Sequence, residues 1–385
     1  MRLIIILFII SVVHISCNNN VGNELNTTHP TSSNLLPYSD AFSILNIDND
    51  ELNQDYESLV NLIKYADTLY SVETQDSNFN RVIGMIDDLA TTSSGEMFVL
   101  DSRQFTVHQF DSTGELKGTI GRQGSGPGEF MNPRKIMVYS DSLLLVSDAT
   151  KIEIFNISSE PQYVETVNLK HGVSSICSIG DTLYTFSNVF LHRYINDEND
   201  KIDLIHAYNI SSFEHLYSFG RPYQSNYPDI VQRLSAGNMV CNEESGTVSF
   251  LYQFIPLLKA YSAKDGELEW STRFDDLNLP RVSTTLNEGR VRFAYSRNEN
   301  INDFFFEPLT IKGTYILVQL TRSFQDENRE DYTVSYIIDS SSGKGEFIPE
   351  EIPHVMSTSN QYFATRDIHG SYFPSAKMLL INNRE

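Results

Sequence analysis

The sequence predicts an all-β fold: a six-bladed β-propeller with four-stranded blades, its ring closed by an N-terminal strand in the last blade. Three observations predict it. From Ile83 onward a strand, a short polar turn and a second strand recur six times, with turns at Gly95, Asp141, Asp181, Gly237, Gly313 and Asn360. Their spacing centres on about 45 residues, the length of a four-stranded blade, and exceeds it where insertions are expected. A second hairpin follows in five of the six repeats, at Phe110–Leu116, Phe155–Ser159, Tyr208–Ser212, Tyr261–Leu268 and Ile338–Gly343. The third observation is the stretch Thr119–Pro133. Gly121, Gly124, Gly126 and Gly128, with Pro127 between the last two, exclude a helix or regular strand there. Between two β-like runs, such a segment reads as a shaped crossover from one sheet to the next.

Taken in order, Met1–Ser16 reads as a signal peptide: Arg2, then an apolar run from Leu3 to Ile15 broken by Ser11 and His14. That run is shorter than the roughly 20 residues needed to span a bilayer. Ser16-Cys17 followed by three asparagines resembles a bacterial lipobox in which Cys17 becomes the lipidated first residue, although His14 stands where leucine is usual. Residues 17–58 are expected to be a lipid-anchored tether. Asn18–Pro37 has little to bury, and a short helix is expected within Asp50–Ile63, where Leu52, Tyr56, Leu59, Val60 and Ile63 follow helical spacing. The propeller is expected over residues 59–385. Asp67–Thr74 alternates like a strand and is left over at one end, while the last repeat stops at a third strand, Lys377–Ile381. Pairing the two closes the ring and removes an open sheet edge.

The six first hairpins begin at Leu89, Met137, Cys177, Leu234, Leu309 and Met356. The widest gap, between the fourth and fifth turns, is assigned to an insertion at Asp275–Asp303. Ile120-Gly-Arg-Gln-Gly-Ser-Gly-Pro-Gly-Glu-Phe130, with a degraded copy at Phe219–Asp229, resembles the blade-to-blade loop of six-bladed β-propeller lipoproteins related to the NHL-repeat proteins, of the Gram-negative, Bacteroidota type. The resemblance covers roughly Leu59 to the C-terminus. It implies a secreted, lipid-anchored propeller that binds a ligand or partner, and no particular reaction. Asn18 after the cysteine, with no acidic tract immediately following, makes the outer membrane, facing the periplasm, the expected location.

Several chemistries find no support in the residues. A phosphate loop needs Lys-Ser/Thr opening a helix, whereas Gly124-Ser125-Gly126 runs into Pro127-Gly128-Glu129-Phe130. Fifty acidic against 28 basic residues, a formal charge of −22, argue against nucleic acid and against adsorption on anionic lipid, leaving the lipid anchor as the expected membrane contact. No Gly-x-Ser-x-Gly elbow, calcium loop or paired-histidine motif occurs. His171, His192, His206, His215, His354 and His369 are expected in different blades, so neither a metal nor another cofactor is expected. Cys177 and Cys241 are read as separate buried thiols, although an envelope compartment permits their pairing.

The expected function is a non-catalytic ligand- or protein-binding or scaffold module of the cell envelope; the alternative is a propeller enzyme, a lyase or hydrolase, at the central channel mouth. In a propeller, the loops joining strands two and three and those joining blades open on one face. They are expected to hold Asp101, Arg103, Arg122, Glu129, Arg134, Asp148, Arg221, Tyr223, Glu243, Glu244, Arg322, Arg366 and Asp367, as ligand contacts or as scaffolding. In the insertion, Arg281, Arg290, Arg292 and Arg297 lie close together, and an extended segment is expected to bring Arg292 and Arg297 to one side with Phe293 and Tyr295. Arginine forks bind carboxylate, sulfate or phosphate, and neighbouring rings stack on sugars. Ligand contacts are therefore expected at Arg122, Arg134, Arg221, Arg290, Arg292, Arg297 and Tyr295, with an acidic glycan or other anionic small molecule, or an envelope protein, as partner.

Overall fold

Second strands built almost wholly from apolar residues mark the middle of each blade. Met97–Asp101 and Thr247–Tyr252 are buried along their whole length, because neighbouring blades cover both faces of the sheet. Fourth strands differ: Leu116–Ile120 and Gln162–Asn168 are largely exposed at the rim. The computed structural model describes residues 24–25, 42–45, 54–73, 83–188, 203–224, 228–275, 277–287, 290–296, 300–326, 328–359, 361–367 and 375–381.

Six antiparallel sheets follow one another along the chain. Blade one runs Asp88–Thr91, Met97–Asp101, Thr106–Phe110 and Leu116–Ile120. Blade two runs Pro133–Tyr139, Leu143–Asp148, Lys151–Asn156 and Gln162–Asn168, and blade three Ser175–Ile179, Thr182–Phe186, Ile205–Asn209 and His215–Phe219. Blade four consists of Gly237–Asn242, Thr247–Tyr252, Leu257–Ser262 and Leu268–Phe274. Blade five has a broken first strand, Ile301–Phe305 and Leu309–Ile311, then Tyr315–Phe324, Tyr332–Asp339 and Gly345–Ile348. Blade six runs His354–Thr358, Tyr362–Arg366 and Ser375–Leu380, and its fourth strand comes from the other end of the chain. Asp67–Glu73 pairs antiparallel with Ser375–Leu380, with Tyr70 opposite Met378 and Val72 opposite Ala376. The ring closes as the leftover strand predicts.

First strands of adjacent blades touch all the way round the channel, and each junction carries a polar or covalent tie. Lys135 meets Asp88 at 2.8 Å between blades two and one, and the Tyr139 hydroxyl donates to Asp181 between two and three. A disulfide, Cys177–Cys241, joins three to four. Thr310 donates to the Cys241 carbonyl between four and five, and Thr358 to the Thr310 carbonyl between five and six. Thr91 and Ser357 hydroxyls meet at 3.3 Å where six returns to one. The disulfide corrects the expectation of two free thiols. Each cysteine sits on the innermost strand of its blade, and neighbouring inner strands approach to a Cα–Cα distance of 5.6 Å here, within disulfide reach.

Three further expectations change. The fourth hairpin is displaced by one strand: Gly237 opens the strand Gly237–Asn242, and the turn lies at Glu243–Gly246. Leu234 instead ends a short helix, Pro228–Leu234, so the excess length is divided between the two gaps flanking blade four. The helix near the N-terminus spans Gln54–Lys64, and Leu59, Val60 and Ile63 are buried against Ile311, Leu317, Ile337 and Phe363 of blades five and six. Within the expected tether, Phe42–Leu45 adds a fifth, parallel strand to the edge of blade four, and Glu24–Leu25 pairs with Arg281–Asn287.

The glycine-rich crossover works as a plug. Phe130 is fully buried between blades one and two, and its N–H donates to the Arg122 carbonyl. Gly121 has φ 79°, and a Cβ there would lie 2.1 Å from the Phe130 ring, so only glycine allows the ring to fold back. The Gly126 N–H and then Arg122 hold the Glu129 carboxyl below its usual range.

Candidate functional site

Most charged residues expected on the loop face turn out to hold loops together. Asp101 is fully buried and accepts the N–H groups of Arg103 and Gln104 at 3.1 Å, besides that of Gly84. Asp148 accepts Met131 N–H at 3.0 Å. Arg322 donates two parallel bonds to buried Asp303, at 2.7 and 2.9 Å, the bidentate geometry that arginine favours. Arg122 pairs with Glu129 inside its own loop, and Arg221 lies 3.8 Å from Asp203. Glu243 and Glu244 belong to a turn between strands one and two, and so to the opposite face.

The expected ligand arginines that are described belong to three different connections between blades. Arg122 and Arg134 fall in the connection between blades one and two, and Arg221 in that between three and four. Arg290, Arg292 and Tyr295 lie on the strand Arg290–Ser296, paired with Arg281–Asn287; Arg297 lies outside the described residues. The histidines are also redistributed. His206 and His215 share blade three, with His171 stacked on His206 at 4.1 Å. Burial, then His171 and His215, push the His206 imidazole down to about 3. His192 and His369 lie outside the described residues. Among the described residues no group of three or more His, Cys, Asp or Glu side chains is placed to hold a metal ion.

At the channel mouth, Lys135 of blade two reaches Asp88 of blade one at 2.8 Å and Glu307 of blade five at 2.5 Å. Burial alone would lower the ammonium, but the two carboxylates outweigh it and hold Lys135 above the usual lysine range. Burial raises both carboxyl groups, and Lys135 pulls them back. Side chains of three blades therefore form one ion cluster here.

A concave site lies at the seam between blades five and six, beside the helix Gln54–Lys64. It is a cleft of about 430 Å³, within the range that holds small ligands. Ile63, Ile352 and Leu379 supply apolar wall, and Thr333, Thr365 and Glu351 polar wall; Lys64, Arg366, Asp367 and Lys377 add charge. Glu351 accepts the Thr333 N–H at 3.3 Å, and Lys64 is engaged by Glu350. Arg366 donates from one terminal nitrogen to the Ile86 carbonyl at 2.9 Å, while its buried Nε has no hydrogen-bond acceptor among the described residues. Burial lowers the Arg366 pKa, with Asp87 opposing. Lys377 makes no ion pair among the described residues, and stands opposite Thr365 across the strand pair. Of these residues, sequence reasoning reached only Arg366 and Asp367. The others come from segments nearly the whole chain apart, and a closing strand was the one available signal that those segments meet.

Comparison with known proteins agrees with this architecture. Of solved structures, a protein of inferred export from Bacteroides fragilis NCTC 9343 superposes with a TM-score of 0.52 at 14% identity, covering 88% of this chain and 99% of that one. A DUF4221 family member from Bacteroides vulgatus superposes with a TM-score of 0.48 at 6% identity, over 84% and 99% of the two chains. At 14% identity the likeness to the Bacteroides fragilis protein is one of fold. No functionally curated protein matches the chain. The sequence profile of the DUF5128 family, described as a 6-bladed beta-propeller, matches residues 36–279. With six sheets in ring order and a profile match over most of its length, the chain belongs to this family of six-bladed β-propellers.

Proposed function

We propose that this chain is a lipid-anchored β-propeller of the cell envelope that works as a non-catalytic binding module, with a small polar ligand seated in the cleft between blades five and six. The observation that carries the reading is the cleft itself: charged and apolar groups converge there, whereas the channel mouth is crossed by an internal ion cluster. A ring with a mixed-polarity cleft suits recognition, since preformed pockets orient a ligand through a few placed polar groups. The test is to narrow the cleft from its rim with Ala66→Trp and screen neutral and charged sugars and short peptides by thermal shift. Binding that Ala66→Trp abolishes supports the reading; binding that it leaves unchanged places the site elsewhere.

The anchor is Cys17, with the outer membrane facing the periplasm as the proposed location. Cys17→Ala is expected to release the protein from the detergent phase, and unchanged partitioning would remove the anchor. Arg290 and Arg292 stand as a second proposed ligand contact, on the hairpin between blades four and five. An Arg290→Ala/Arg292→Ala pair that binds acidic glycans as well as the parent would discard it.

A further inference from the structure

Between blades four and five the chain leaves the ring. Arg281–Asn287 and Arg290–Ser296 pair with each other and with Glu24–Leu25, in a sheet that shares no strand with any blade among the described residues. The register sorts the hairpin into two sets. Val282 stands opposite Tyr295 and Leu286 opposite Val291, whereas Arg281 stands opposite Ser296, Arg290 opposite Asn287 and Arg292 opposite Thr285. Residues 281–296 hold three arginines and one glutamate, a net charge of +2 within a chain of −22. A cationic, amphipathic ribbon suits the boundary between lipid headgroups and acyl chains, where arginine meets phosphate and aromatic rings settle at the interface.

The third strand of this sheet tells which surface the hairpin meets. Cys17 stands seven residues before Glu24, and seven residues fully extended span at most about 25 Å. Glu24 is paired with Thr285 and Leu25 with Thr284, so an acyl chain on Cys17 keeps the hairpin within that reach of the bilayer. A compact chain of 385 residues has a radius of gyration of about 21 Å, and so a diameter of roughly 55 Å. The tether reaches only about half of that, which holds the hairpin's side of the propeller toward the lipid. Whole-chain acidity opposes adsorption of a free chain, but carboxylates beyond about 8 Å are screened, and the tether supplies a high local concentration. Resting on the reading of Cys17 as a lipid anchor, we infer that this hairpin is the propeller's foot on its own membrane, with Arg290 and Arg292 held by headgroup phosphates. The short reach of the anchor favours lipid phosphate over a soluble acidic glycan for these arginines.

The experiment places the full acylated chain in vesicles of phosphatidylethanolamine and phosphatidylglycerol with brominated acyl chains, and reads quenching of an added tryptophan. Trp270, buried in blade four, gives a constant background. Phe293→Trp, with Tyr295→Trp as a second variant should the first misfold, is expected to lose most of its added emission. Tyr163→Trp, on the outermost strand of blade two across the ring, is expected to lose none. Adding Arg290→Gln and Arg292→Gln to Phe293→Trp is expected to lower the docked-to-free ratio by about fivefold per arginine, and the quenching with it. Phe293→Trp and Tyr295→Trp left unquenched in a chain that floats with the vesicles, or quenched no more than Tyr163→Trp, overturn the foot and leave the anchor standing. Quenching that the two arginine substitutions leave unchanged overturns the phosphate contact. Loss of quenching on adding soluble polygalacturonate assigns the arginines to an acidic glycan and overturns the lipid. A chain that does not float, and whose Cys17 carries no acyl group by mass spectrometry, overturns anchor and foot together.

Discussion

Tyr70 is the sharpest test of the ring closure. It lies in the closing strand, 9% exposed, with its hydroxyl donating to the Gly95 carbonyl of blade one at 2.9 Å. Burial pushes its hydroxyl pKa well above the usual tyrosine range, so it remains a donor at any working pH. Tyr70→Ala removes a buried aromatic ring and leaves a cavity, expected to cost about 3–5 kcal/mol. Tyr70→Phe keeps the ring and strands the Gly95 carbonyl, expected to cost about 1–3 kcal/mol. Leu69, next along the strand and 46% exposed, is the control, and Leu69→Ala is expected to stay within about 0.5 kcal/mol. The assay is urea unfolding followed by the fluorescence of Trp270, the chain's single tryptophan, itself buried in blade four. Midpoints should fall in the order Leu69→Ala, Tyr70→Phe, Tyr70→Ala. If Tyr70→Ala and Leu69→Ala share one midpoint, the strand does not close the ring and the reasoning fails.

Four other outcomes are expected. Replacing both Cys177 and Cys241 by serine should lower stability by about 4 kcal/mol, from the loop entropy of a 64-residue separation, read as a reduced urea midpoint under non-reducing conditions. His206 titrates at about 3 when folded against the usual 6.5, so between those values the unfolded chain holds more protons. Its contribution is therefore complete above about pH 6.5 and falls as pH drops, by roughly 1.4 kcal/mol per unit; His206→Gln should flatten that slope in urea midpoints taken between pH 7 and 5. Asp303→Asn should cost about 3–5 kcal/mol by leaving buried Arg322 without its carboxylate, seen as a lowered melting temperature. A chain beginning at Gln54 should melt cooperatively, whereas one beginning at Thr74 should show no cooperative transition, since it lacks both the docked helix and the closing strand.

The blades were legible because their signals are local. Turn residues such as Gly95, Asp141 and Asp181 sit between short apolar runs, and that pattern needs nothing beyond neighbouring residues. The fourth repeat misled for the same reason: Leu234-Ser-Ala-Gly mimics a strand and turn, but Ile230, Val231 and Leu234 bury as one face of a helix turn. Cys177 and Cys241 looked like separate core thiols because strand patterning is silent on which inner strands adjoin. The cleft was least legible. Ile63 and Lys64 lie some 300 residues from Arg366 and Lys377 in sequence, and no local rule relates their side chains. Charged loop residues such as Asp101 and Arg322 were visible, yet whether each faces a ligand or its own backbone is decided only by packing.

The closing strand also has a consequence for how the protein is made. Blade six needs residues 67–73 and 375–380 together, and synthesis at about 5–20 residues per second separates their appearance by roughly 15 to 60 seconds. During that interval the first strand of the ring has no partner, and its unpaired edge is open to wrong pairing. Because the cleft is walled by both chain ends, it comes into being only when the last strand arrives. A chain that stops short of Ser375 therefore lacks one wall of the cleft, so the completed seam marks a finished ring.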